Sequence, residues 1–273
     1  MNRLGYILLY FCLGVIAIFQ IFPIAWLFLF SLKGNREIFS GSPFALPQEF
    51  RWENYQKVWE GGIGVYFFNS VWITGLAILI TVLLASMATF AITRMNWKFS
   101  KLVLGLFMIG LMIPIHSALI PLFNMFLHVN LIDNPFSIVI TYTAYNLPIT
   151  MMILLGFYYT LPREIEEAAI IDGCSINRLF FRIILPMTTP VMSTTVIINM
   201  IYNWNEFVFV NTFISSDKYK TLTVGIQNFI GQYMTDWGAI GATLIISILP
   251  ILLAFLFFSN KVVEGISSSA VKG

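Results

Sequence analysis

The charges of this chain are bunched, and the stretches they leave bare decide what it can fold into. Residues 4–32, 61–93, 102–132, 134–162, 183–205 and 237–260 contain no Asp, Glu, Lys or Arg. Each run exceeds the ~20 residues that carry a helix across a bilayer. Strands of a membrane barrel would be about 10 residues long with alternating polarity, and none of the six runs alternates. Composition leads the same way: 58% of the residues are hydrophobic and 10% charged, against about 25% charged in a soluble domain. So few charges cannot solvate a globular surface. The chain reads as an all-α, polytopic membrane protein with six transmembrane helices, near 6–31, 66–93, 103–121, 138–160, 188–212 and 240–260, in one domain over 1–273. The first apolar run is too long for the ~7–15-residue core of a signal peptide and reads as an uncleaved anchor. A formal net charge of +2 gives no ground for a nucleic-acid partner; the lipid bilayer is the first partner.

Six spans put both termini on one side. With the N-terminus inside, the inner segments hold Arg3, Arg94, Lys98, Lys101, Arg163, Arg178, Arg182, Lys261 and Lys272. The outer loops hold Lys33, Arg36, Arg51, Lys57, Lys218 and Lys220. The excess of inner basic residues favours cytoplasmic termini.

The inner segment between spans four and five, 162–187, is more patterned than a connector needs to be. Pro162 suits a helix start. Glu164, Glu166 and Glu167 complement the helix dipole in the first turns, and Gly173 stands where a helix ends. Ser175 suits the cap of a second helix, with Leu179, Phe180 and Ile183 on one side and Arg178 and Arg182 on another; Pro186 is expected to stop it. The result is a helix–turn–helix at the cytoplasmic surface. The small pair Ala168-Ala169, beside Glu167 and Asp172, suits the close approach of a cytoplasmic partner. It suits a hairpin that only anchors the spans equally well.

The residues of this loop carry a resemblance. Glu167-Ala168-Ala169-x-x-Asp172-Gly173, then Phe180 and Ile183-x-Leu185-Pro186, resembles the "EAA" loop of binding-protein-dependent ABC importer permeases. Leu161-Pro162-Arg163-Glu164, Met112-Ile113-Pro114 with Ile120-Pro121-Leu122, and Trp204-Asn205-Glu206-Phe207 are similar to carbohydrate permeases of that family. The ending Gly265-x-x-x-x-Ala270-Val271-Lys272-Gly273 is similar to the maltose-type (MalG-like) subunits. Cys174, Ser269 and Asn260-Lys261 depart from the family pattern by small or polar-for-polar changes.

The resemblance implies the type I ABC importer permease fold in a bacterial or archaeal cytoplasmic membrane. It implies a heterodimer with a second homologous permease, two ABC ATPase subunits, and an extracellular solute-binding protein that delivers a di- or oligosaccharide. Glu167, Ala168, Ala169, Asp172, Gly173, Phe180 and Pro186 would couple the chain to the ATPase, and the cytoplasmic tail 261–273 would reach the same interface or end free. The chain would hold no cofactor and catalyse nothing, ATP and Mg being bound by the ATPase. The sequence has no Gly-x-x-x-x-Gly-Lys-Ser/Thr loop, and His116 and His128 are isolated. A permease for a polyol or glycerol phosphate would read the same way. A stand-alone secondary transporter would instead need inverted repeats and paired broken spans and would leave the loop unexplained.

Ionisable groups inside a span are costly and mark function by default. Glu206 is such a group. Asn199, Asn203 and Glu206 follow at i, i+4, i+7, on one helix face, and are candidates for the translocation path; a place for Glu206 at the outer interface, or in a contact with another subunit, is the rival reading. Asn146, Thr150, His116, Asn69 and Ser70 are weaker candidates, with interhelical hydrogen bonding as the alternative. Trp204 reads as a sugar-stacking or interface residue, and Pro114, Pro121 and Pro148 as kinks.

Overall fold

The computed structural model describes residues 3–95, 97–230 and 235–270, with side chains described as far as Ser259. Val271, Lys272 and Gly273 of the expected tail lie outside the described residues. In chain order the helices are α1 (Arg3–Ser31), α2 (Asn35–Ser40), α3 (Glu53–Glu60), α4 (Ile63–Arg94), α5 (Ser100–Gly110), α6 (Leu119–His128), α7 (Pro135–Tyr158), α8 (Glu164–Ile171), α9 (Ile176–Leu179), α10 (Leu185–Met187), α11 (Thr189–Asn205), α12 (Val208–Phe213), α13 (Leu222–Gly225) and α14 (Trp237–Ala270). Among the described residues there is no strand beyond one isolated bridge, Ile230 to Thr235. The backbone of α14 continues the last span into the tail as far as Ala270.

Among the described residues four helices are long and apolar enough to cross a membrane: α1, α4, α7 and the Trp237–Ser259 part of α14. Two bent pairs raise this to as many as six. Ser100–Gly110 meets Ile115–His128 at 94°, and Ile176–Met187 meets Thr189–Asn205 at 72°. The first break falls inside the expected span 103–121. Pro114 has no N–H with which to extend α5 and holds Ile113 away from helical torsions, so α5 stops at Gly110 and the chain restarts in a 3₁₀ turn, Ile115–Ala118. Pro148 sits inside α7 without interrupting it. The expected span 188–212 is likewise two helices, α11 and α12.

The chain forms two compact units, Met1–Phe67 with Gly225–Pro250, and Phe68–Val224 with Ile251–Gly273. In the first, the most apolar stretch of α1 buries none of its residues. The C-terminal end of α1 is held by Asn54, whose amide donates to the carbonyls of Ser31 (2.8 Å) and Lys33 (3.0 Å), acceptors that a helix end leaves open. Gly238 packs against the same place. A Cβ there would lie 2.5 Å from Asn54 Nδ2 and 2.6 Å from the Lys33 carbonyl, so only glycine lets α14 start so close.

The second unit layers apolar, polar and apolar packing along its helices. One cluster holds Ile73 and Ala77 of α4, Ile138 and Tyr142 of α7, and Phe209 and Phe213 of α12. The other holds Ala85 and Phe90 of α4, Met151 and Tyr158 of α7, and Ala169, Phe180 and Ile184 of the loop 162–187. Between them lie the buried Thr81, Asn146, Thr150, Asn199 and Asn203. With no water at this depth, such groups must find partners in the protein. Asn134 starts α7 by accepting from the Phe136 N–H at 3.0 Å, with Pro135 in the first turn.

Outside the spans, Asp133 pins two loops together. Its carboxylate accepts from the backbone N–H of Ser215 (2.9 Å) and Ser216 (2.8 Å) and from the Ser216 hydroxyl. These bonds, the Ser216 hydroxyl first, hold its carboxyl below the usual carboxylate range. The depressed value means the staple stabilises above the ordinary Asp range and fades as pH falls through the folded value. Asp133→Asn should therefore lower stability at neutral pH by about 1 kcal/mol, with the gap to wild type closing in acid. Thermal unfolding in detergent across pH checks this; parallel curves at every pH would refute it.

Candidate functional site

The loop 162–187 folds as a helix, a turn and a second, irregular helix. Its first helix, α8, carries three acidic residues in its first turn. It ends in a double hydrogen bond: Gly173 N–H to the Ile170 carbonyl and Cys174 N–H to the Ala169 carbonyl, both at 2.9 Å. That pattern needs a left-handed residue between, and Gly173 supplies it with φ +77°. A Cβ at Gly173 would meet nothing within 4 Å, so torsion and not space requires the glycine. Ser175 takes the expected cap position without a side-chain cap bond. The second helix runs through α9, a π-turn at Phe180–Ile184 and α10. Pro186 lies within its last turn instead of ending it, and the chain bends after Thr188. The wide turn accommodates a proline that cannot donate to the ladder.

The motif residues divide between two faces. Glu167, Ala168, Asp172 and Gly173 are exposed, joined by Ile171 at 85% exposure. Ala169 and Phe180 are buried in the cluster with Phe90 and Tyr158; the Phe180 ring lies 5.2 Å from Phe90 and 4.9 Å from Phe181. Pro186 is exposed. The alanine pair is thus split: Ala168 is open to a partner, while Ala169 lets α8 settle on its own protein. Glu166 faces inward with Ala169, three residues apart as helix geometry requires. Its Oε1 sits 3.0 Å from Arg94 Nε. Burial pushes its carboxyl up, and Arg94 pulls it back. Among the three acids of Glu164-Ile165-Glu166-Glu167 nothing local singles out the one that turns inward; only its register with Ala169 marks Glu166.

The second constellation is the seam of α7 and α11. Asn203 Oδ1 accepts from Asn146 Nδ2 (2.7 Å) and Tyr145 OH (3.1 Å), and Asn199 Nδ2 donates to Thr150 Oγ1 (3.0 Å). Asn199 and Asn203 are buried, and so is Trp204, which removes it from any open surface. Glu206 does not continue their face. It closes α11 and caps α12, its carboxylate accepting from the N–H of Phe209 (2.8 Å) and Val210 (3.3 Å) and from Tyr142 OH (3.2 Å). A carboxylate at this depth is explained by the helix break it seals.

Beside the seam is a cleft of about 550 Å³ lined by Ile113, Thr141, Tyr145, Asn146, Tyr202 and Phe209 among others. Of the expected path residues only the weaker candidate Asn146 reaches it; Tyr145, which the sequence did not single out, does too. Among the described residues, Asn146 Oδ1 and Asn203 Nδ2 are buried without hydrogen-bond partners, an acceptor and a donor left over from the amide pair. His116 stacks on Phe209 at 5.7 Å. Asn69 donates to the carbonyls of Lys218 (2.8 Å) and Lys220 (2.9 Å), and Ser70 accepts from Leu222 N–H (2.8 Å); both hold the loop 214–222 in place.

Among the described residues no group of His, Cys, Asp and Glu is placed to hold a metal ion. The family described as "Binding-protein-dependent transport system inner membrane component" matches residues 81–264, and the chain belongs to it. It is 34% identical to the probable ABC transporter permease protein YurM of Bacillus subtilis, over 92% of this chain and 84% of the relative. It is 33% identical to the diacetylchitobiose uptake system permease protein NgcG of Streptomyces coelicolor, over 94% and 85%. Its fold matches, at TM-score 0.80 and 18% identity, a chain in the crystal structure of a bacterial ABC transporter involved in the import of the acidic polysaccharide alginate, covering 94% of this chain and 96% of that one. The protein is therefore an ABC importer permease and not an enzyme. Membership implies a solute-binding protein and an ATPase as partners.

Removing Asn203 leaves Tyr145 and Asn146 unpaired at membrane depth. Asn203→Ala should cost about 1 kcal/mol, read as a lower melting temperature in detergent; unchanged melting would show that the seam adds nothing to stability.

Proposed function

We propose that this chain moves a di- or oligosaccharide across a bacterial or archaeal cytoplasmic membrane, as one half of a permease heterodimer driven by two ATPase subunits that bind ATP and Mg. Both termini are cytoplasmic, which places the loop 162–187 on the ATPase side. The observation that carries the reading is the two-faced α8. Its outer face offers Glu167, Ala168, Ile171 and Asp172, a small residue and an apolar tip between two carboxylates, to a cleft on the ATPase. Its inner face is packed into its own unit through Ala169. A short helix closed by the Gly173 turn moves as one piece when ATP draws the ATPases together, and the spans respond by a rigid-body change of access.

The sugar assignment rests on relatives such as the diacetylchitobiose permease. The cleft suits it chemically: Tyr145 OH suits a sugar hydroxyl, and the exposed ring of Tyr202 suits the apolar face of a pyranose. Asn199 and Asn203 act from behind, fixing α7 against α11, while Glu206 holds the break at the end of α11.

Gly173→Pro tests the loop. Proline cannot adopt φ +77° and has no N–H for the Ile170 carbonyl. The variant should insert and express like wild type yet lose transport-linked ATP hydrolysis at least tenfold. Normal hydrolysis and uptake would remove the loop from the coupling path.

A further inference from the structure

One side chain ties three elements of the second unit together at the loop. Arg94 is the last residue of α4 and the only charged residue in its 32 positions. Its Nη2 donates to the carbonyl of Tyr158, the last residue of α7, at 2.6 Å, and to that of Leu161 at 3.0 Å. Its Nε meets Glu166 of α8 at 3.0 Å. The two side chains are only 7% and 12% exposed. Neither Arg94 Nε nor Glu166 Oε1 makes a well-aligned hydrogen bond, so this contact is an ion pair held by charge. The neighbouring charges, Arg163, Glu164 and Glu167, are exposed.

Burying such a pair costs desolvation that apolar residues would avoid, and stability alone is poorly served by it. Position is served well. The apolar contacts of Ala169 with Phe180 and Tyr158 have no fixed direction and tolerate sliding. A guanidinium fixed by two carbonyls at the open end of α7 fixes the carboxylate on α8 in turn. Loss of either charge leaves the other buried and unpaired, so separation of α8 from α4 meets a steep barrier.

We propose that Arg94 and Glu166 form a transmission latch, which makes α8 one rigid body with the cytoplasmic ends of α4 and α7 so that displacement of the loop reaches both spans undiminished. They are positioning residues: they touch neither sugar nor ATPase. The proposal rests on the reading that α8 docks on the ATPase.

The test uses the complete transporter in nanodiscs, with Cys12 and Cys174 replaced by serine and spin labels at Lys98, just past α4, and Glu164, at the start of α8, each introduced through cysteine. Distances are measured without nucleotide and with ATP, Mg and vanadate as the probe. In the otherwise wild-type chain the Lys98–Glu164 distance should be the same in both states. In Arg94→Gln and in Glu166→Gln it should broaden and shift by more than about 2 Å, the scale of helix shifts in switching proteins. The charge swap of Arg94→Glu with Glu166→Arg should narrow it again. A wild-type distance that changes with nucleotide, or single variants that stay as rigid as wild type, would overturn the latch. So would failure of both single variants to assemble, which would make the pair a folding element only. A wild-type permease that retains no ATPase would instead defeat the docking reading.

Discussion

Everything in this protein follows from the absence of water in the hydrocarbon layer. Backbone groups there must be paired within helices, and a polar side chain must find a partner in the protein. The second unit meets this in part by pairing Asn146 and Thr150 of α7 with Asn203 and Asn199 of α11 in a seam, with apolar clusters on either side. The seam is narrow and nearly self-satisfied. Its leftover valences are on Asn146 and Asn203, and Asn146 also borders the neighbouring cleft. The same constraint accounts for Glu206. A broken helix exposes N–H groups at its restart, and a carboxylate that accepts from Phe209 and Val210 closes the gap without a chain of water.

Charge that the spans cannot hold is concentrated in the loop 162–187. There it is sorted by side. Glu167 and Asp172 point outward with Ile171, a combination that suits a partner protein better than bulk water. Glu166 points inward to Arg94. The helix is short enough to be stiff, stopped by a glycine turn, and held below by both apolar packing and an ion pair. Such an element transmits a push better than it stores one.

How much of this is legible in the sequence depends on the range of the interaction. The all-α class and the helix–turn–helix of the loop are set by local rules: long apolar stretches free of charge, a glycine after a helical run, acids in a first turn. Those signals were sufficient. The breaks at Leu111–Pro114 and after Asn205 were not, because a bent span is as free of charge as a straight one. Asn199 and Asn203 share the face that their spacing gives. Glu206 leaves it because the helix ends one residue earlier, which spacing cannot register. Arg94 and Glu166 are 72 positions apart, and nothing local distinguishes an inner glutamate from its neighbours Glu164 and Glu167. The roles of Asn69 and Asp133 are hidden for the same reason: they hold loops distant in sequence.

The central claim is that the outer face of α8 is covered by the ATPase. It is tested most directly by labelling an Ile171→Cys variant, with Cys12 and Cys174 replaced by serine, using a membrane-impermeant maleimide on inside-out vesicles. The account predicts rapid labelling of the permease without ATPase and strong protection in the assembled transporter. Equal labelling in both would show that Ile171 stays open and that the ATPase docks elsewhere.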